Sequence, residues 1–159
     1  MAAPFIPEDL IEAAAAKLQD EAAFAQALEA LKEASPVLLA YGFSESFEAF
    51  TAQEREYFLY LLLVIWTAVK ESGTALADVD EQRLSELEED NWNVLHGNKG
   101  GTFRARLDPF FEGARQEDLL AFIEDALTQD EEDEQQLVSR EGQEALFVCL
   151  KTVVDGLTE

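Results

Sequence analysis

Thr51-Ala-Gln-Glu-Arg-Glu-Tyr-Phe-Leu-Tyr-Leu-Leu-Leu-Val-Ile-Trp-Thr-Ala-Val-Lys-Glu-Ser-Gly73 decides the fold class of this chain. Thr51 and Glu54 stand in the capping-box pattern just ahead of an apolar run. Gly73 supplies the C-terminal stop. Between these signals the spacing predicts a helix over residues 52–72. The apolar run from Tyr57 to Val69 covers 13 residues, interrupted only by Thr67. A membrane span needs about 20. A helix apolar on all sides but too short for a bilayer must be wrapped by other helices of its own protein.

The flanking segments supply those helices. On the N-terminal side, Pro7 fits a first helical position, with Glu8 and Asp9 near the positive helix end. Leu10, Ile11, Ala14 and Leu18 then form one stripe. Asp20 caps a second helix carrying Phe24, Leu28 and Leu31. Ser35-Pro36 starts a short third helix that Gly42 ends, and Ser44 caps a further turn carrying Phe47 and Phe50.

On the C-terminal side, Asp80 caps a helix over 81–95, with Leu84, Leu87, Val94 and Leu95 inward and Gly97 as its stop. Residues 97–102, Gly-Asn-Lys-Gly-Gly-Thr, form a flexible loop. From Thr102 to Leu107 the alternation of Phe103, Ala105 and Leu107 with Arg104 and Arg106 is a strand-like signal without a partner strand. That stretch is expected to be extended or irregular, with helix resuming at Asp108-Pro109. Leu119, Leu120, Ile123 and Leu127 mark one face of the next helix. The acidic run Asp130–Glu134 suits a solvated loop. Ser139 caps a last helix whose stripe is Leu146, Phe147, Leu150, Val153, Val154 and Leu157.

The expected product is all-α: one domain over residues 1–159, an irregular bundle of about six to eight helices around the central apolar helix 52–72. An apolar content of 48% with eleven Phe separates this chain from disordered acidic sequences.

The surface of that bundle must be acidic. Asp and Glu number 34 against 11 Lys and Arg, a net charge of −23. On a folded surface of roughly 8,000 Å², the net charges lie about 19 Å apart, against a Debye length of about 10 Å at 0.1 M salt. Average self-repulsion is therefore screened at ordinary ionic strength.

Direct nucleic-acid binding is disfavoured, because phosphate affinity comes from Lys and Arg. Anionic membrane surfaces are disfavoured for the same reason. The opening MAAPFIPEDL has no basic region followed by an apolar one, so no leader is expected and the cytoplasm is the expected compartment. A lone cysteine, Cys149, excludes an intramolecular disulfide and a cysteine metal cluster. In its apolar helix it is expected to be a small buried hydrophobe.

Residues 91–101 form the most unusual stretch: Asn91, Trp92, Asn93, the single His96, and a Gly-rich loop with Lys99. Asn91 follows Leu87 by one helical repeat and is expected to point partly inward. Glu89, Asn93 and His96 share a helix face, and as a pocket they would make His96 a proton donor or ligand. Against that, His96 in a last helical turn suits the negative end of the dipole with no chemistry attached. Lys99, Arg104 and Arg106 are the densest basic spot, fit either to hold an anion or to pair with carboxylates of this same chain. Pairing within the chain is the favoured alternative, since acids outnumber them.

No cofactor and no metal are expected. One His excludes the usual zinc and di-iron spacings. Asp78 to Glu89 echoes a calcium loop but has Arg83 where glycine is required. The carboxylate pairs Glu8/Glu12, Glu86/Asp90 and Glu88/Glu89 arise at helical spacing in any chain this acidic, and none is singled out by an apolar setting. The expected function is non-catalytic contact with another protein, a basic one in the most specific version. Two alternatives stand beside it: acidity as a solubility device in high salt, and an enzyme whose site lies in the 91–106 segment.

Overall fold

The computed structural model describes residues 5–41, 50–73, 79–97, 102–128 and 140–158. Gly42, Ser44, Phe47, Lys99, Ser139 and the acidic run 130–134 lie outside the described residues. Eight helices and no strand occur among the described residues: α1 (Glu8–Lys17), α2 (Glu21–Ala34), α3 (Pro36–Tyr41), α4 (Ala52–Glu71), α5 (Glu81–Gly97), α6 (Phe103–Phe111), α7 (Glu117–Leu127) and α8 (Arg140–Thr158).

Helix α4 is the centre that its sequence predicts. Thr51 Oγ1 accepts from the Glu54 amide at 3.1 Å while Glu54 Oε1 accepts from the Thr51 amide at 2.9 Å, closing the capping box. At the other end Gly73 adopts a φ of +82°, the left-handed conformation glycine reaches without strain. Every residue from Leu61 to Val69 is buried. Helices α1, α2 and α8 pack around α4. Two of its tyrosines lie at the margin of the core and tie it to neighbouring helices. Tyr57 donates to the Ala126 carbonyl of α7 at 2.6 Å, and Tyr60 donates to the Ala15 carbonyl of α1 at 3.1 Å.

A second buried helix shares the centre. Among the described side chains of α8, Leu146–Leu150, Thr152–Val154 and Gly156–Thr158 are buried, far more than a single stripe. Helix α8 lies against α4, α5 and α7 at once. Gly156 packs against the entry to α5, where a Cβ would sit 3.3 Å from Val79 Cγ1 and 3.4 Å from Leu84 Cδ2.

Three local expectations are corrected. Val94, expected inward on α5, is exposed, and Asn91 takes its place in the buried stripe. Residues 103–111 are helix, not an extended segment, and the helix runs through Pro109 without restarting there. Thr102 caps it by accepting from the Ala105 amide at 3.1 Å. Phe103, Leu107 and Phe110 then fall at helical repeats and face inward, so the apparent alternation sampled only part of a helical face. Pro7 is the N-cap of α1 rather than its first helical residue. It has no side chain able to cap, and Asp118 of α7 substitutes by accepting from the Glu8 amide at 2.9 Å. Gln116 accepts from the Ile6 amide at 3.0 Å in the same junction. These two bonds dock the N-terminal segment on α7 and bury Ile6 completely.

Candidate functional site

The residues that the sequence singles out separate into three environments. Asn91 is buried on the α8 side of α5. Its side-chain amide donates to Thr152 Oγ1 at 3.1 Å and to Asp155 Oδ2 at 3.2 Å. Asn93 and His96 are exposed on the opposite part of the same helix, and half-buried Trp92 stacks on His96 with ring centroids 5.5 Å apart. Arg104 reaches α7, pairing with Glu124 at 2.6 Å and Asp125 at 3.3 Å. Arg106 pairs with Glu144 of α8. Both arginines are thus held by carboxylates of this chain. The structure does not gather Asn91, Asn93, His96, Arg104 and Arg106 into one concavity.

Asn91 leads instead to a polar network that the sequence does not reveal. Thr152 Oγ1 donates to the Val148 carbonyl one turn back at 2.7 Å and still accepts from Asn91. Asp155 has both carboxylate oxygens engaged: Oδ2 with Asn91, Oδ1 with Lys151 Nζ. Lys151 and Asp155 are one turn apart on α8, with side chains 16% and 19% exposed, which puts this pair at the edge of the core rather than in open solvent. A network with its partners supplied fixes the register of α5 on α8.

Lys151 and Asp155 also form one wall of a cleft of about 520 Å³ between the α6–α7 turn and the end of α8. Phe110, Leu120 and Val154 give it an apolar floor, and Gln116 and Thr158 add polar atoms. Glu112 and Arg115 stand at its exposed rim. A volume of this size falls within the range of small-molecule sites. None of the sequence-singled residues lines it. Lys151 and Asp155 are charged residues one turn apart in the largely apolar second half of α8, which in the sequence is no more than an ordinary intrahelical pair.

A second cluster joins three helices. Tyr41 of α3 donates to Glu88 of α5 at 2.5 Å, and the Cys149 thiol of α8 lies 3.8 Å from the same carboxylate oxygen. Burial pushes the Cys149 thiol well above its usual range, and the nearby Glu88 charge opposes a second anion. Burial likewise raises the Tyr41 phenol. A thiol held protonated is a poor nucleophile, so Cys149 packs as the small hydrophobe its sequence setting implies.

No group of three or more His, Cys, Asp or Glu able to hold a metal occurs among the described residues. No helix among them is long and apolar enough to cross a membrane. No protein-family model matches this sequence, and no curated protein or solved structure shows significant similarity to it.

Proposed function

We propose that this protein works by non-catalytic contact with another protein, through an acidic surface that meets basic side chains. The observation that carries this reading is the fate of its cations. Lys17, Lys32, Arg83, Arg104, Arg106 and Lys151 are each in an ion pair with a carboxylate of the same chain. These six cations are spent internally, while carboxylates remain in excess outside. On α5, Glu89 and Asp90 are exposed and make no ion pair among the described residues. Such a surface attracts basic partners and steers their approach, while repelling phosphate backbones. The same balance suits a protein of the cytoplasm.

The test is affinity capture on the immobilised chain, beside a double variant, Glu89→Lys/Asp90→Lys. A partner retained by the unaltered chain, released by raised salt and lost on the reversed surface supports the reading. Retention indifferent to both salt and charge reversal overturns it.

One observation favours a second reading, acidity as a solubility device. Exposed carboxylates occur on α1, α2, α4, α5, α6 and α7, not on one face alone: Glu12, Glu21, Glu56, Glu89, Asp108 and Asp125 are examples. Generic acidification predicts that resistance to urea rises steeply toward molar salt. A flat salt profile removes this reading and leaves the first.

A further inference from the structure

We propose that the side of α5 formed by Glu81, Ser85, Glu89, Trp92 and His96 docks an arginine-bearing segment of the partner protein, a guanidinium bonding to Glu89 with its plane against the Trp92–His96 stack. This rests on the basic-partner reading above and deepens it, by naming the place on this chain and the side chain on the other.

Steps of three and four residues place these five side chains on one ridge of the helix, about 22 Å from end to end. The ridge runs beside the buried stripe of Leu84, Leu87, Asn91 and Leu95. Four of its residues are exposed and Trp92 is half-buried. Trp92 packs against the core and stacks on His96, with ring planes 30° apart, so the aromatic pair is in place before a partner arrives. Aromatic rings attract cations, tryptophan most strongly. The chain itself supplies an instance: Lys70 Nζ stands over the Trp66 ring, 5.0 Å from its centroid. Trp66 is only 2% exposed and closed to a partner. Trp92 is the tryptophan a partner can touch, and no cation of the described residues stands over it.

Charge complementarity selects the occupant. Glu88 accepts from Tyr41 and is engaged within the fold. Glu81 and Glu89 are exposed and make no ion pair among the described residues, while Arg83 pairs with Glu86 away from this ridge. The counter-charge for the ridge therefore comes from another molecule. Glu89 precedes Trp92 by three residues, which sets their Cβ atoms about 5–6 Å apart. A planar guanidinium spans that gap: it stacks on a ring and bonds a carboxylate at once, where an ammonium is a point charge. Glu81, two turns from Glu89, meets a second basic side chain of the same segment.

The experiment is an NMR titration of the full chain, at low salt and pH 8, above the range in which imidazole titrates. The probe is a capped peptide of four Arg-Ala repeats, beside its lysine and citrulline counterparts. Saturable shifts centred on amides 81–97, with the Trp92 indole moving and the Trp66 indole still, support the proposal. So does an arginine peptide at least about threefold tighter than the lysine one, with the citrulline one silent. Glu89→Gln and Trp92→Leu should each weaken the arginine peptide about fivefold. If Trp92→Leu disturbs the fold, His96→Ala, at an exposed position, should reduce the preference for arginine over lysine instead. Equal affinity for arginine and lysine peptides, shifts spread over the other helices, or indifference to Glu89→Gln each overturns the proposal and leaves the basic-partner reading standing. No saturation by either cationic peptide up to about 1 mM overturns both.

Discussion

Helices α4 and α5 are both long, both enter through a side-chain cap and both touch the core, yet they do opposite work. Helix α4 is buried at nine successive positions, Leu61 to Val69. Helix α5 is buried at only four, Leu84, Leu87, Asn91 and Leu95, spaced three or four apart. The first is surrounded; the second lies on the outside of α8 with one narrow stripe inward. The two treat polar groups differently as well. In α4 the Thr67 hydroxyl and the Trp66 indole nitrogen are buried with no hydrogen-bond partner among the described residues. In α5 the buried polar residue, Asn91, has two. Stability is concentrated where charge is absent, and position-fixing bonds where charge approaches the core.

The largest expected effect breaks the apolar side of this contrast. Leu62 is fully buried in α4. Leu62→Ala should lower unfolding free energy by about 2–5 kcal/mol, the lost transfer energy plus the cavity left in a close-packed centre. Urea denaturation at constant pH measures it. A loss under about 1 kcal/mol would mean that α4 is not packed on all sides.

Next is the polar side. Asn91→Ala removes the donor shared by Thr152 and Asp155, leaving Asp155 Oδ2 without its α5 partner. The expected cost is about 1–3 kcal/mol. A double-mutant cycle with Thr152→Val should show coupling, because the two residues share one bond. Strict additivity would show that the network does not act as a unit.

How much of this was legible beforehand depends on what kind of signal each feature leaves. The capped helix around 52–72 was legible because a cap, an unbroken apolar run and a terminal glycine all agree there. The inward turn of Asn91 was legible too, from its place one repeat after Leu87. The helix at 103–111 escapes the sequence pattern because the five alternating positions from Phe103 to Leu107 fit two periods, and the cap that selects one of them is Thr102, just ahead of Phe103. Pairing of Arg104 and Arg106 with this chain's own acids was foreseeable from charge excess alone, but not that Glu124 and Glu144 are the partners. The cleft left no signal. It is made by two stretches distant in sequence, 110–120 and 151–158, and its wall residues Lys151 and Asp155 look like an ordinary intrahelical pair until α5 supplies Asn91. The cap of α1 by Asp118 is hidden for the same reason: a residue 110 positions away does what a local cap normally does.

A smaller effect of opposite sign tests the contrast within α4 itself. Thr67 is 5% exposed, and its hydroxyl has no partner among the described residues. Thr67→Val keeps the branched shape and replaces the hydroxyl with a methyl, so it should raise stability by about 1 kcal/mol. Destabilisation would mean that the hydroxyl is satisfied in solution. Thr67 and Asn91 together then separate a polar group the core tolerates from one it uses.

The smallest effect belongs to the outer face of α5. Glu89 is exposed, four residues before Asn93 and seven before His96 on the same face. Glu89→Gln should change stability by less than about 0.5 kcal/mol at ordinary salt, because an exposed charge without a partner is screened. At low ionic strength the variant should become slightly more stable than the unaltered chain, since one charge fewer must be held among many of like sign. Thermal unfolding at two salt concentrations distinguishes the outcomes. If Glu89→Gln costs as much as Asn91→Ala, the outer face of α5 contributes to the fold, and its acids are not surplus. If the gain appears at low salt and vanishes at high salt, the carboxylates of α5 are held against their own repulsion, which leaves them available to a cation supplied from outside.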